Sequence, residues 1–218
     1  MDADFWQERW RQGQIGFHQP EFHPGLAQYW PGLGIGPGAR LLVPLCGRSL
    51  DMVWLARRGH PVLGVELSPI AVAGFFEHES LAARQAPAGP FTRHTAGPYE
   101  ILQGDFFQLT SATAGAVGGW YDRAALVALP PALRRRYVRH LGGLLDPGVR
   151  GLLVTHEYVQ EQMDGPPFSV PDAEVRQLFE PMFDVGLLHR QDVIAGNTKF
   201  AERGLDSFHE LIYRLVRR

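Results

Sequence analysis

The sequence predicts an open α/β fold built on a mostly parallel sheet, and three observations in residues 39–68 carry that expectation. Leu41, Leu42, Val43 and Leu45 form a short apolar run of the kind that suits a parallel strand covered on both faces. Pro44 donates no ladder hydrogen bond, so pairing should end near it. Cys46 and Gly47 make a turn, after which Ser49 is placed to cap a helix whose apolar face is Met52, Val53, Leu55 and Ala56. Gly59 stops that helix, and 61–65 form a second strand ending at Glu66, nineteen residues beyond Gly47.

Strand, glycine turn, helix, strand and terminal acid make the first half of a nucleotide-binding βαβ unit. A carboxylate about twenty residues after the turn, at the tip of the second strand, can accept both hydroxyls of a ribose. A surface glutamate on an ordinary βαβ unit fits this stretch as well. There is no G-x-G-x-x-G, and Gly47, Arg48 and Ser49 lack the upstream glycine and the lysine of a phosphate loop. A cofactor with a ribose and no phosphates fits better, and S-adenosylmethionine is the commonest of these.

The other elements follow in order. Trp6 and Trp10 are four apart and share one face of a short N-terminal helix, with Asp4 as its expected cap and Gln7 as the capping-box partner. Residues 15–19 then form an aromatic-bearing loop. Two tryptophans can pin a terminus to the core, and they can also form a lid whose aromatic faces attract a sulfonium; both readings stand for residues 1–30. A short helix is expected over 22–30 and a turn over 31–38. Ser68 and Pro69 start another helix, continued by 70–78. Residues 82–97, rich in Pro, Gly, Ala and Thr, are expected to be an exposed loop.

A strand over 99–103 ends at Gly104, Asp105 and Phe106. In an adenine site such a strand end brings a backbone amide and an acid to the purine amino group and an apolar cover to the ring; a strand that simply ends in a polar turn fits this stretch as well. A strand over 119–122 leads into Asp122 and Arg123, placed for chemistry or for charge recognition, and equally readable as a surface ion pair. Pro130 and Pro131 open a helix through Leu145, and a strand follows over 151–157. A loop at 165–168, a helix over 171–179, and strands over 184–193 and 208–216 complete the chain. Lys199 and Arg203 lie in the loop between the last two strands, where a cation can reach a ligand and is more commonly solvated.

At 218 residues and 45% hydrophobic content, the chain is long enough for one globular domain with a full core, 1–218. A formal net charge of −2 gives no reason to expect nucleic acid or an anionic membrane. One cysteine allows neither an internal disulfide nor a cysteine metal cluster, which makes the reducing cytoplasm the expected compartment. No signal pattern opens the sequence, and no apolar run approaches the roughly 18 residues of a membrane span. None of the nine histidines stands at a metal-ligand spacing. Cys46 is expected to pack and not to act as a nucleophile.

The runs FWQERWRQGQIGFHQ, LLVPLCGRSLDMVWLARRGHPVLGVELSPIAV, YDRAALVAL and GPPFSVP resemble the bacterial branch of the thiopurine S-methyltransferase family, over nearly the whole chain. The resemblance implies a Rossmann-like class I methyltransferase fold: a seven-stranded sheet, its last strand antiparallel, with helices on both faces. It implies S-adenosylmethionine as methyl donor, S-adenosylhomocysteine as the product that leaves, no metal, and an aromatic or heterocyclic thiol as acceptor. By position, Trp10 would cover the cofactor, Leu45 would lie beside its methionine portion, and Glu66 would take the ribose hydroxyls. Phe106 would cover the adenine, with Asp105 beside it. Arg123 falls at the family's arginine near cofactor and acceptor, and Phe17 at its acceptor-side aromatic. Mammalian members carry a second arginine near the C-terminal hairpin, for which Lys199 is the nearest match here and Arg203 its neighbour.

Three alternatives share parts of this reading. Selenium and tellurium compounds are soft nucleophiles that the same fold could methylate. A non-catalytic cofactor-binding protein would keep the βαβ unit but not the need for Arg123. A dehydrogenase lacks its glycine fingerprint. The expected partner is a small molecule, acting on a monomer.

Overall fold

The computed structural model describes residues 3–14 and 18–218, so the candidate Phe17 lies outside the described residues. The chain divides into two compact units, Met1–Tyr121 and Asp122–Arg218.

The first unit opens with helix α1 (Ala3–Arg11), then α2 (Pro24–Tyr29) and a 3-10 turn, Trp30–Leu33. Strand β1 (Leu41–Pro44), helix α3 (Leu50–Arg57), strand β2 (Val62–Glu66) and helix α4 (Pro69–His78) form the expected βαβ core. Strands β3 (Arg84–Ala88), β4 (Phe91–Ala96) and β5 (Tyr99–Gln103) follow, then a 3-10 turn (Phe106–Gln108), the short α5 (Ser111–Ala114) and β6 (Gly119–Arg123). The strand order in this unit is β3-β4-β5-β2-β1-β6. β2 pairs in parallel with β1 and β5, and β1 with β6, through partners such as Leu42↔Leu63, Gly64↔Ile101 and Leu42↔Trp120. Leu41, Leu42, Leu63, Ile101 and Leu102 are fully buried, as strands covered on both faces require.

The helix starts follow the sequence. Ser49 Oγ accepts from Asp51 N at 3.2 Å and Ser68 Oγ from Ala71 N at 3.3 Å. Asp4 is different: α1 already includes Ala3, so Asp4 sits inside the first turn, where a carboxylate complements the helix dipole, and it is not the cap.

The two units hold nine strands among the described residues, six in the first and three in the second, and not the expected seven. Residues 82–97 account for the difference. They are an antiparallel hairpin paired from Arg84↔Thr95 to Ala88↔Phe91, turning at Gly89 with φ +62°. β3 is the edge strand of its unit and largely exposed, so it needs no alternating apolar pattern, and an edge tolerates Pro87. β4 carries the buried residues, Phe91 and His94.

The second unit contains a 3-10 turn (Leu126–Ala128), helix α6 (Pro131–Leu144), strand β7 (Arg150–Glu157) and helix α7 (Asp172–Phe179). Strand β8 (Phe183–Asp192), the short α8 (Thr198–Ala201) and strand β9 (His209–Arg217) complete it. Its strands run β7-β9-β8, and the last strand is antiparallel to both neighbours, as expected. None of the described helices is long and apolar enough to cross a membrane.

One core contact makes a direct prediction. A Cβ at Gly64 would stand 2.6 Å from Cys46 Sγ and 3.3 Å from Met52 Sδ. Gly64→Ala is expected to destabilise the protein by about 1–3 kcal/mol, the range of overpacked cores. Cys46→Ala should recover much of that loss in a denaturant titration of the double variant.

Candidate active site

The turn after β1 is built from two residues in the left-handed region, Leu45 at φ +47° and Gly47 at φ +53°. Leucine enters that region only at a cost of about 1–2 kcal/mol. Such local strain persists where the surrounding structure holds it, here through Cys46 N, which donates to Val65 O at 3.0 Å. Gly47 needs its missing side chain twice over. Its φ is positive, and a Cβ there would meet the Trp10 ring at 3.3 Å.

Glu66 closes this turn. Its Oε2 accepts from Gly47 N at 2.8 Å and its Oε1 from Ser68 N at 2.7 Å. The side chain is buried, and burial raises its pKa, opposed by the backbone amides of Ser68, Gly47 and Leu67. A carboxylate offers about four lone-pair sites. Each oxygen with one N–H on it has room for one further donor. Two such oxygens side by side match a vicinal diol. The backbone carbonyl of Glu66 accepts from Gly104 N at 2.9 Å, which ties the end of β5 to the same place.

Trp10, buried in α1, therefore abuts the Gly47 turn, and the Arg48 guanidinium lies 6.0 Å from its ring centroid. Trp6 does not share that burial; it meets Phe5 edge-on, with centroids 5.3 Å apart. After Gly104, Asp105 Oδ1 accepts from Phe107 N at 2.9 Å and so caps the following turn. Phe106 is buried, its ring 6.1 Å from that of Phe107.

Sequence reasoning passed over Asp51. It is fully buried and its Oδ1 accepts from His23 N at 2.7 Å, pinning the entrance of α2 to α3. Its only sequence signal is an acid in a helix's first turn, which is usually an exposed dipole partner. Cys46 packs against Gly64, and burial followed by the Glu66 charge pushes its thiol well above the ordinary range. That environment suits packing and opposes a thiolate.

In the second unit, Arg123 ends β6 and Ala124 follows at φ +71°. Asp122, read in the sequence as available for chemistry or for a surface ion pair, is fully buried and engaged: Oδ1 accepts from Ala125 N and Leu126 N, both at 3.2 Å, and Oδ2 from Tyr137 Oη at 2.7 Å. Lys199 lies on α8 with its Nζ 5.0 Å from the Phe200 ring centroid; burial, then the nearby Arg203 charge, lowers its pKa. Arg203 Nη1 stands 3.9 Å from Met163 Sδ. The structure thus gathers Trp10, Leu45 and Glu66 at one turn, brings Asp105 and Phe106 to it through Gly104, and makes neighbours of Lys199 and Arg203.

The family model for thiopurine S-methyltransferase matches residues 1–218, the entire chain. The chain belongs to the thiopurine S-methyltransferase family. A relative named thiopurine S-methyltransferase from Bordetella petrii is 53% identical over 217 residues, covering 100% of this chain and 99% of the relative. Among solved structures, an S-adenosylmethionine-dependent methyltransferase from Anabaena variabilis superposes with a TM-score of 0.66 at 14% identity, covering 99% of this chain and 95% of its own. The 1,6-didemethyltoxoflavin-N1-methyltransferase of Burkholderia thailandensis, solved with S-adenosylhomocysteine, gives 0.63 at 17% identity, covering 97% and 86%. These two likenesses establish the class I methyltransferase fold for this family member.

Within this thiopurine S-methyltransferase family member, Asp122 has a measurable signature. Burial pushes its pKa up from 3.8 to about 6, against the lowering effect of its bonds from Tyr137, Leu126 and Ala125. The folded state therefore binds the proton more readily than the unfolded chain between those values. Its penalty is fully present above about pH 6 and fades as pH falls toward 3.8. Between pH 7 and pH 5 the wild type should gain about 1 kcal/mol relative to Asp122→Asn. Paired denaturant curves at the two pH values check this; an unchanged difference would contradict it.

Proposed function

We propose that the protein transfers a methyl group from S-adenosylmethionine to the sulfur of aromatic and heterocyclic thiols such as thiopurines. The observation that carries this reading is the Glu66 clamp: a buried carboxylate, held by Gly47 and Ser68, with acceptor capacity left for two hydroxyls. The residues present fit the cofactor, because a carboxylate ready for a ribose and a buried tryptophan stand at the same turn.

When bound, the cofactor supplies a methyl group already activated on a sulfonium. The chain's own residues bind and orient. Glu66 accepts the ribose hydroxyls, Leu45 borders the methionine portion, and Trp10 offers an aromatic face to the cation. Phe106 covers the adenine and Asp105 takes its amino group with the oxygen not used on Phe107. Arg123 favours the thiolate form of the acceptor, directly or through water. Lys199 and Arg203 border the acceptor. Proximity and alignment supply on the order of 7–11 kcal/mol of the barrier reduction. The enzyme works as a cytoplasmic monomer on a small-molecule acceptor.

The test is methyl transfer from labelled S-adenosylmethionine to 6-mercaptopurine, thiophenol, selenite and catechol. Turnover of both thiols is the expected result. Turnover of selenite alone would replace the thiol reading with metalloid methylation on the same fold. Cofactor binding with no turnover of any acceptor would overturn the assignment.

A further inference from the structure

We propose that Tyr137 and Asp122 form a buried clasp that sets the position of Arg123, making Tyr137 a positioning residue for methyl transfer. This rests on the reading of Arg123 as the cation that acts on the acceptor. Asp122 immediately precedes Arg123 in β6, and its Oδ1 reaches forward to Ala125 N and Leu126 N. The backbone of Arg123 and Ala124 is therefore held from both sides by one side chain. Ala124 takes φ +71°, a region alanine does not enter unless the surrounding structure holds it there.

Tyr137, fully buried on α6, then fixes the other carboxylate oxygen at 2.7 Å. The next residues are held as firmly. Phe168 N donates to Val127 O at 2.7 Å, and the buried Arg134 donates through Nε to Leu129 O at 2.9 Å. Against this frame Arg123 itself is only partly buried.

A cap on two N–H groups needs only a serine or an asparagine, either of which avoids burying a charge. The arrangement here goes further. It uses a carboxylate, supports it with a phenol, and places the only left-handed residue of the segment directly after Arg123. Those choices hold the backbone that carries the Arg123 side chain more tightly than a turn requires.

A double-variant cycle tests the proposal. Tyr137→Phe keeps the ring and removes one hydrogen bond. It is expected to lower kcat for 6-mercaptopurine about tenfold, as a small misplacement of a reacting group does, while changing the S-adenosylmethionine dissociation constant less than twofold. In an Arg123→Ala background the same substitution should leave kcat unchanged, while its effect on thermal stability persists in both backgrounds. Asp122→Asn, which keeps the side-chain size, should follow the same pattern. If Tyr137→Phe lowers kcat equally in both backgrounds, the clasp is merely structural and the proposal is overturned, with the reading of Arg123 intact. If Arg123→Ala alone leaves turnover unchanged, the reading of Arg123 fails and the clasp falls with it.

Discussion

Glu66→Ala should weaken S-adenosylmethionine binding by at least about 100-fold. Two ribose hydroxyls donating to a carboxylate contribute roughly 1.5–3 kcal/mol each, and about 1.4 kcal/mol is a tenfold change in affinity. The loss is compounded because the Gly47 and Ser68 amides lose their acceptors, which loosens the turn that Trp10 covers. Glu66→Gln is informative beside it. An amide has one oxygen and one NH2 group, so whichever way it turns, a donor faces either Gly47 N or Ser68 N. The glutamine variant should therefore bind the cofactor far more weakly than its near-identical shape suggests. Calorimetric titration of the three proteins, with their thermal midpoints as a folding control, gives the answer. A dissociation constant within a few-fold of wild type in the alanine variant would remove Glu66 from the cofactor site.

Arg123→Ala should lower kcat/KM for a weakly acidic thiol by roughly 10- to 1,000-fold at neutral pH, since a neighbouring cation shifts a pKa by about 1–3 units. The loss should depend on the acceptor. A thiophenol acidic enough to be ionised already at the assay pH gains little from Arg123 and should be affected least. The pH profile for the weakly acidic thiol should also move to higher pH in the variant. A uniform loss across thiols of different acidity would show that Arg123 serves binding alone, and no loss at all would exclude it from the reaction.

The parts of this molecule that were legible in the sequence are those that local rules determine. β1, β2 and the caps Ser49 and Ser68 follow from apolar runs, proline and hydroxyl side chains within a few residues of one another. The spacing of Gly47 and Glu66 pointed to a ribose acceptor, yet not to the bonds by which Glu66 also shapes its own turn, because those depend on the register of β1 against β2. The β3–β4 hairpin was missed because an exposed edge strand carrying proline has a loop's composition. The inward turn of Asp51 and of Asp122 has no local sequence signal, for one common reason. An acid in a helix's first turn or beside an arginine is ordinarily solvated, and only tertiary packing shows each carboxylate turned inward onto backbone amides.

The central claim is that a sulfur atom receives the methyl group. The most direct measurement compares 6-mercaptopurine with hypoxanthine, its oxygen counterpart, as acceptors with S-adenosylmethionine, and locates the methyl group in the product by NMR. The account predicts 6-methylmercaptopurine, methylated on sulfur, with hypoxanthine inert. Methylation of a ring nitrogen in either purine, or no methylated product from 6-mercaptopurine, would contradict it.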